Sequence, residues 1–245
     1  MGTRTLTRRM ATACFATTLA VALLPMAGSF DAATAQAIKQ TPPSPPKQAA
    51  SADESAAYEV TGFRDAHFGM SEQEVRASIV KTFGIKNADI ASATNPIEGT
   101  TVLTARVTSL EPGPGQAHVA YIFGHNSKKL IQVNIIWGED AAAKTDPNAL
   151  IAASTRLQRY FAGFAWRKDA ARVGIPVGDN TVVLFAAEDE KKGAVRLVVD
   201  GIKYQLAQEG NQTTSPDPKG PPKLMINYIA DRESPDIAKI EKGRF

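Results

Sequence analysis

Alternating apolar and polar positions mark the middle of the chain. In the segment 130–137, "LIQVNIIW", the alternate apolar side chains share one face of an extended strand: Ile131, Val133, Ile135 and Trp137. The segment 117–123, "AHVAYIF", alternates in the same way, and the polar sequence "GHNSKK" between the two is typical of a turn. The pattern predicts an antiparallel hairpin, with "TVLTARV" at 101–107 as a third strand.

Two helices are predicted from their start signals. Ser71 is followed three residues later by Glu74, the spacing of a capping box, and Gly84 is suited to end that helix. Asp146 followed by Pro147 gives a second start, because proline is tolerated in the first turn of a helix. Apolar residues recur at helical spacing behind both starts: Val75, Ile79 and Phe83, then Leu150, Leu157, Phe161 and Phe164.

Further strand patterns follow the second helix, at 181–187, 194–199, 202–207 and 223–230. Asp200 and Gly201 fit a two-residue hairpin turn between the second and third of these. A helix followed by a meander therefore occurs twice. This order predicts an α+β fold, with a mainly antiparallel sheet and helices on one of its faces. The repetition suggests two half-domains, 59–140 and 141–245, whose strands join into one sheet.

The N-terminal segment has the pattern of an export signal, with a basic start, an apolar stretch and small residues before Ala37. We expect a signal peptide at 1–37, with a cut after Ser29 as the alternative. Residues 38–58 form a Pro- and Ala-rich stretch that we expect to be a disordered linker to a single domain at 59–245. The expected location is the periplasm, or outside the cell.

Processing changes the composition. Cys14 is the only cysteine and lies within the signal, so the mature chain would have no thiol for disulfides, metal ligation or nucleophilic catalysis. Residues 1–37 carry three arginines and one aspartate, so their removal leaves 25 basic and 24 acidic residues. A formal charge of +1 without a basic stripe argues against nucleic acid as a partner. The mature chain has no apolar run long enough for an integral membrane span.

No catalytic, cofactor-binding or metal-binding residue is assigned from the sequence. A predicted strand at 63–68 would place Asp65 and His67 on one face, and with His118 they form the candidate acid–base set of a hydrolase. His118 and His125, from one hairpin arm and its turn, are a further candidate pair, as metal ligands. Trp166 belongs to an aromatic group, with Tyr160, Phe161 and Phe164, that either lines a ligand pocket or joins the core.

An acidic run, Glu188 to Glu190, precedes two lysines. Since charge runs of this kind normally face water, we expect a solvated turn there.

The segment "FGMSEQEVRASI", residues 68–79, resembles the helix opening of small periplasmic proteins, including outer-membrane-assembly lipoproteins of the SmpA/OmlA type and similar inhibitor-like domains. It covers about a dozen residues. The chain departs from that pattern because it has no lipid-anchoring cysteine and because no proline follows Gly84. The resemblance implies a non-catalytic, periplasmic binding role.

The expected function is therefore that of an exported, non-enzymatic protein that needs no cofactor. It would bind an envelope or periplasmic protein, or another envelope component, through a face or an edge of the antiparallel sheet. Two alternatives stay open: a hydrolase with the His/Asp acid–base site, and a carrier of a small apolar ligand held between helix and sheet.

Overall fold

The computed structural model describes residues 55–138, 141, 145–177, 180–203, 217–239 and 243. The predicted signal peptide at 1–37, the first part of the predicted linker and the segment 204–207 of a predicted strand lie outside the described residues.

Both predicted helices are confirmed. Helix α1 spans Glu72–Phe83, and helix α2 spans Pro147–Ala162. The Ser71 N–H donates to the Glu74 carboxylate at 2.7 Å while the Glu74 N–H donates to the Ser71 hydroxyl at 3.4 Å, which completes the capping box. The Asp146 carboxylate caps α2 by accepting from the Asn148 N–H at 2.9 Å.

In the described part of the chain, ten strands accompany the helices. Two short ones form a small hairpin of their own: β1 (Gly62–Phe63) and β2 (Ala66–His67). The other eight are β3 (Ala91–Thr94), β4 (Thr101–Val107), β5 (Ala117–Phe123), β6 (Leu130–Gly138), β7 (Arg172–Pro176), β8 (Val182–Glu188), β9 (Ala194–Lys203) and β10 (Asp217–Ile229).

These eight strands form one antiparallel sheet in the order β3-β4-β5-β6-β10-β9-β8-β7. Each helix is followed by a four-stranded meander, and the last strands of the two meanders, β6 and β10, pair with each other. The fold is thus α+β, with a sheet assembled from two helix-plus-meander units.

One face of the sheet carries the core. A row of buried side chains crosses six strands at matching register: Ala105, Val119, Ile135, Ile226, Leu197 and Phe185. Apolar side chains of both helices belong to the same buried cluster: Val75 and Ile79 of α1, and Leu150, Leu157 and Phe161 of α2. Both helices therefore pack on this face of the sheet.

Three strand predictions were wrong. Asp200 and Gly201 do not form a hairpin turn, because β9 runs through them to Lys203 with Gly201 at φ +74°. The predicted single strand at 63–68 is instead the β1–β2 hairpin, which turns at Arg64 with φ +54°. Ile131 and Val133 do not lie on the same face. The β5–β6 pairing is irregular at this point, so Leu130 points into the core and Ile131 does not.

The folded part includes residues that the sequence assigns to the linker. The Tyr58 N–H donates to the Ala165 carbonyl at 3.1 Å, and the Ala165 N–H donates to the Ala56 carbonyl at 3.0 Å. Strands β3 and β7 were not predicted at all. Within the part of the chain that is described, no helix has the length and apolar character needed to cross a membrane.

Candidate binding site

Asp65 and His67 lie on the side of the sheet that the helices cover. The Asp65 carboxylate forms an ion pair with Lys81 of α1 at 3.2 Å, and Lys81 lowers the pKa of that carboxyl below its ordinary value. Thr82 of α1 also donates to it at 3.3 Å. These contacts with neighbouring residues of α1 account for the position of the Asp65 carboxylate.

His118 lies on the opposite side of the sheet. Its strand neighbours, Ala117 and Val119, point into the core, so the His118 ring points away from the helices and accepts from the Arg106 Nε at 3.2 Å. The sheet thus separates His118 from Asp65 and His67. The structure does not bring the three candidate acid–base residues together.

His125 follows β5 in a turn, where its Nδ1 lies 3.2 Å from the Gly99 carbonyl oxygen. The part of β5 between His118 and Phe123 is about 17 Å long, and His125 lies beyond its end. The two imidazoles therefore cannot share one metal ion. In the described ranges, no group of three or more potential ligands among His, Cys, Asp and Glu is close enough to hold a metal.

Trp166 follows α2 and packs against the core. Its ring lies 4.8 Å from that of Tyr58 and 5.6 Å from that of Phe185, between centroids, and its Nε1 donates to the Phe161 carbonyl at 2.8 Å. Trp166 therefore joins the N-terminal segment at Tyr58 to the second half of the sheet.

The sheet side that faces away from both helices is the open face. Its central register row crosses six strands and consists of half-buried residues: Thr104, Ala120, Asn134, Asn227, Arg196 and Ala186. Half-buried apolar side chains flank this row on the central strands: Ile122, Ile136, Met225 and Ile229. No described helix packs on this face.

Amide side chains occupy the centre of the open face. Asn134 of β6 and Asn227 of β10 are cross-strand neighbours where the two halves meet, and the Asn227 amide donates to Asn134 Oδ1 at 2.9 Å. Gln132 donates to the same oxygen at 2.8 Å. These bonds fix the orientation of the amides before any partner arrives.

Arg196 of β9 extends this row on the open face. It neighbours Asn227 and Ala186 in register, and among the described residues no carboxylate lies within ion-pairing distance of it. A half-buried guanidinium without a carboxylate is available to an acidic group of another molecule, with up to five N–H donors in a fixed geometry.

A cleft opens on the other side of the sheet, next to α2. Its volume is about 340 Å³. Core-facing residues of β6 and β10 form its floor: Ile135, Trp137, Ile226 and Tyr228. The remaining lining residues come from α2 (Arg156, Leu157 and Tyr160), from the β4–β5 loop (Leu110, Glu111 and Pro112) and from β1 (Phe63). The cleft is thus an apolar recess between the helix and the sheet.

Three tyrosines meet beside this cleft. The Tyr58 hydroxyl interacts with those of Tyr228 and Tyr160, and burial raises the pKa of Tyr58 to about 12. Burial also raises the pKa of Tyr228 above its ordinary value. The Tyr58 and Tyr228 hydroxyls are therefore protonated at neutral pH. Tyr160 is 53% exposed and lies at the rim, where its hydroxyl can donate a hydrogen bond.

Comparison with protein-family models finds no match for this chain, and comparisons with curated proteins and with solved structures find none either. The functional argument therefore depends on the surfaces described above.

Sequence patterns did not single out Arg156 or Arg196. Arg196 carried a signal, because it occupies a polar position inside the apolar segment "AVRLVV". Arg156 carried none, since an arginine on an exposed helix position is ordinary and its place at a cleft depends on which strands lie under α2.

Proposed function

We propose that this chain is an exported, non-enzymatic protein of the periplasm that binds a partner protein or envelope component through the open face of its sheet. The observation that carries this proposal is the composition of that face. Antiparallel sheets often have one face exposed to water, and every second residue of each strand, the one on that face, is then polar. Here it combines four large apolar side chains with fixed amides and with Arg196, which has no carboxylate partner among the described residues.

This mixture fits an interface better than a solvated surface. Interfaces are enriched in methionine and arginine relative to the rest of the surface, and they lose lysine and glutamate from their centres. Met225 and Arg196 lie on adjacent strands of the open face. Covering this face would bury apolar area and give Arg196 a carboxylate partner, so we expect the partner to present an acidic side chain near an apolar patch.

Two features of the sequence support the same role. The N-terminal pattern is that of an export signal, and the opening of α1 resembles that of periplasmic SmpA/OmlA-type proteins, which implies binding without catalysis.

The test is chemical crosslinking of the purified mature chain in bacterial envelope extract, followed by recovery of the crosslinked partner. Arg196→Glu replaces the attraction for a carboxylate by repulsion and should reduce recovery of the same partner by roughly tenfold or more. Arg159→Glu, on the exposed side of α2, is the matched charge reversal and should leave recovery unchanged. Recovery that is insensitive to Arg196→Glu would refute binding through the open face.

The cleft favours a second function. A recess of about 340 Å³ with an apolar floor falls in the size range of small-molecule sites. As a second candidate function, we propose that the protein carries a small apolar ligand in this cleft.

A further inference from the structure

We propose that the cleft beside α2 binds a single-chain amphiphile: an apolar chain enclosed between α2 and the sheet, and one carboxylate head group at the rim beside Arg156. This assignment rests on the carrier function proposed above and names the chemical class of the ligand.

The apolar part of the cleft is preorganised. The Trp137 Nε1 donates to the Leu110 carbonyl at 2.9 Å, which ties the β4–β5 loop to β6. Gly113 lies against the same indole, and a Cβ at that position would come within 2.1 Å of the Trp137 Nε1. The Arg156 guanidinium holds the loop from the other side, by donating to the Pro112 carbonyl at 2.9 Å. A chain could therefore enter without the protein first ordering the loop wall.

The size of the cleft selects a slender ligand. About 340 Å³ lies near the lower end of the range for small-molecule sites, which is roughly 300–1,000 Å³. The floor side chains Ile135 and Ile226 provide no polar group. A flexible apolar chain fits such a space, and its burial is favourable by about 0.8 kcal/mol per CH₂ group.

The rim carries an excess of positive charge. Arg156 donates to the Pro112 carbonyl, and in the described part of the chain no carboxylate is within ion-pairing distance of it. Arg64 adds a second cation, with its guanidinium carbon 5.5 Å from the ring centre of Phe63, which lines the cleft. Helix α2 contains no acidic residue between Pro147 and Ala162.

Of the described residues that line the cleft, only Glu111 is acidic. Two cations and one carboxylate leave a net charge of +1 at the rim, which a head group with one negative charge neutralises. An arginine binds a carboxylate with two parallel hydrogen bonds, and the Tyr160 hydroxyl can donate a further one from the same helix. This polar contact would hold the head at the rim while the chain extends over the floor.

Fluorescence of Trp137 can test where the chain lies. The protein has two tryptophans, so Trp166→Phe in the otherwise intact chain leaves Trp137, on the floor of the cleft, as the single emitter. We expect 12-bromododecanoate, kept below the concentration at which it aggregates, to quench Trp137 saturably, because bromine quenches an indole that it touches. Calorimetric titration with dodecanoate should give one site per chain.

Two substitutions test the head group. Arg156→Gln should weaken dodecanoate binding by roughly tenfold or more, since it removes a charged hydrogen-bond donor, while binding of 1-dodecanol stays unchanged. Arg159→Gln, three residues along α2 and outside the cleft lining, is the matched control and should bind dodecanoate as the parent does.

The outcomes separate the ligand class from the carrier function. Absence of saturable binding by both dodecanoate and 1-dodecanol, or calorimetric binding without quenching of Trp137, would overturn both. Binding of both amphiphiles with equal affinity, unaffected by Arg156→Gln, would overturn the carboxylate head group and leave an apolar-ligand carrier.

Discussion

At the scale of single residues, the acidic run Glu188 to Glu190 at the end of β8 shows that neighbouring residues of one sequence pattern can lie in different environments. We expected a solvated turn, yet Glu188 is 7% exposed and Asp189 is 3% exposed, while Glu190 is exposed. Glu188 forms ion pairs with Arg167 and Arg232, the second at 2.5 Å. Charged side chains stay exposed to water unless oppositely charged or hydrogen-bonding groups pair with them. Here such partners come from residues distant in the sequence.

Asp189 should be one of the most sensitive positions of the fold. Its carboxylate accepts from the N–H groups of Val60, Lys191 and Gly193, each at 2.8 Å. Asp189→Ala leaves buried donors without an acceptor, so we expect the free energy of unfolding to fall by about 2–4 kcal/mol in urea titrations. Glu190→Ala, the exposed neighbour, should change it by less than about 0.5 kcal/mol. Equal effects of the two substitutions would contradict this role for Asp189.

Asp236 should make stability depend on pH in acid. Hydrogen bonds from Ser127 and then from Asn126 hold the pKa of its carboxyl well below the ordinary value of 3.8. Since the folded pKa is the lower one, this stabilisation is complete above about pH 4 and is lost as the pH falls toward the folded pKa.

Asp236→Asn removes the titration, so the free energy of unfolding should fall less steeply between about pH 4 and pH 2 than in the parent chain. Urea titrations at a series of pH values measure this slope. Asp169→Asn, at an exposed turn, should follow the parent. A slope unchanged by Asp236→Asn would show that other carboxyls dominate.

At the scale of elements, α1 was predicted correctly at both ends because its signals are local. The Ser71 and Glu74 side chains satisfy N–H groups within three residues, and Gly84 adopts φ +67° one residue beyond the helix. No distant contact is needed for either signal to act. Strands β3 and β7 were missed for the opposite reason: their side chains are mostly exposed, so no apolar alternation marks them.

We expect Ser71→Ala to lower the free energy of unfolding by about 1 kcal/mol, through loss of the cap. Gln73→Ala, exposed within the same turn, should be neutral or slightly stabilising because alanine is the better helix former. Chemical denaturation of both variants measures the difference. A Ser71→Ala variant as stable as Gln73→Ala would mean that tertiary packing alone fixes the start of α1.

At the scale of the whole molecule, the two helix-plus-meander units share one sheet and one buried cluster. The β6–β10 pair joins them over seven register positions, from Lys223 opposite Gly138 to Ile229 opposite Gln132. Phe161 of α2 also stacks on Phe185 with ring centroids 5.9 Å apart, and contacts Tyr228 at 6.3 Å. Neither half has a separate core, so unfolding should be cooperative.

Trp137 and Trp166 report on different halves, which allows this cooperativity to be tested. In Trp166→Phe the remaining emitter is in β6, and in Trp137→Phe it follows α2. Within each variant, the urea midpoint from tryptophan fluorescence should coincide with the midpoint from far-ultraviolet circular dichroism. Separate midpoints would show that the halves unfold independently.

The sequence by itself determined the fold class, both helix starts and the face of most central strands, because capping and alternation act over a few residues. It did not reveal that β9 passes through Asp200 and Gly201, where pairing with β10 prevails over a local turn preference. Tertiary structure alone decided that the acidic run would be partly buried and that His118 would lie across the sheet from Asp65. It also decided that, within the described ranges, Arg196 and Arg156 would each have no carboxylate at ion-pairing distance. These features depend on which strands become neighbours, and that pairing is set by burial of the shared core rather than by any short segment.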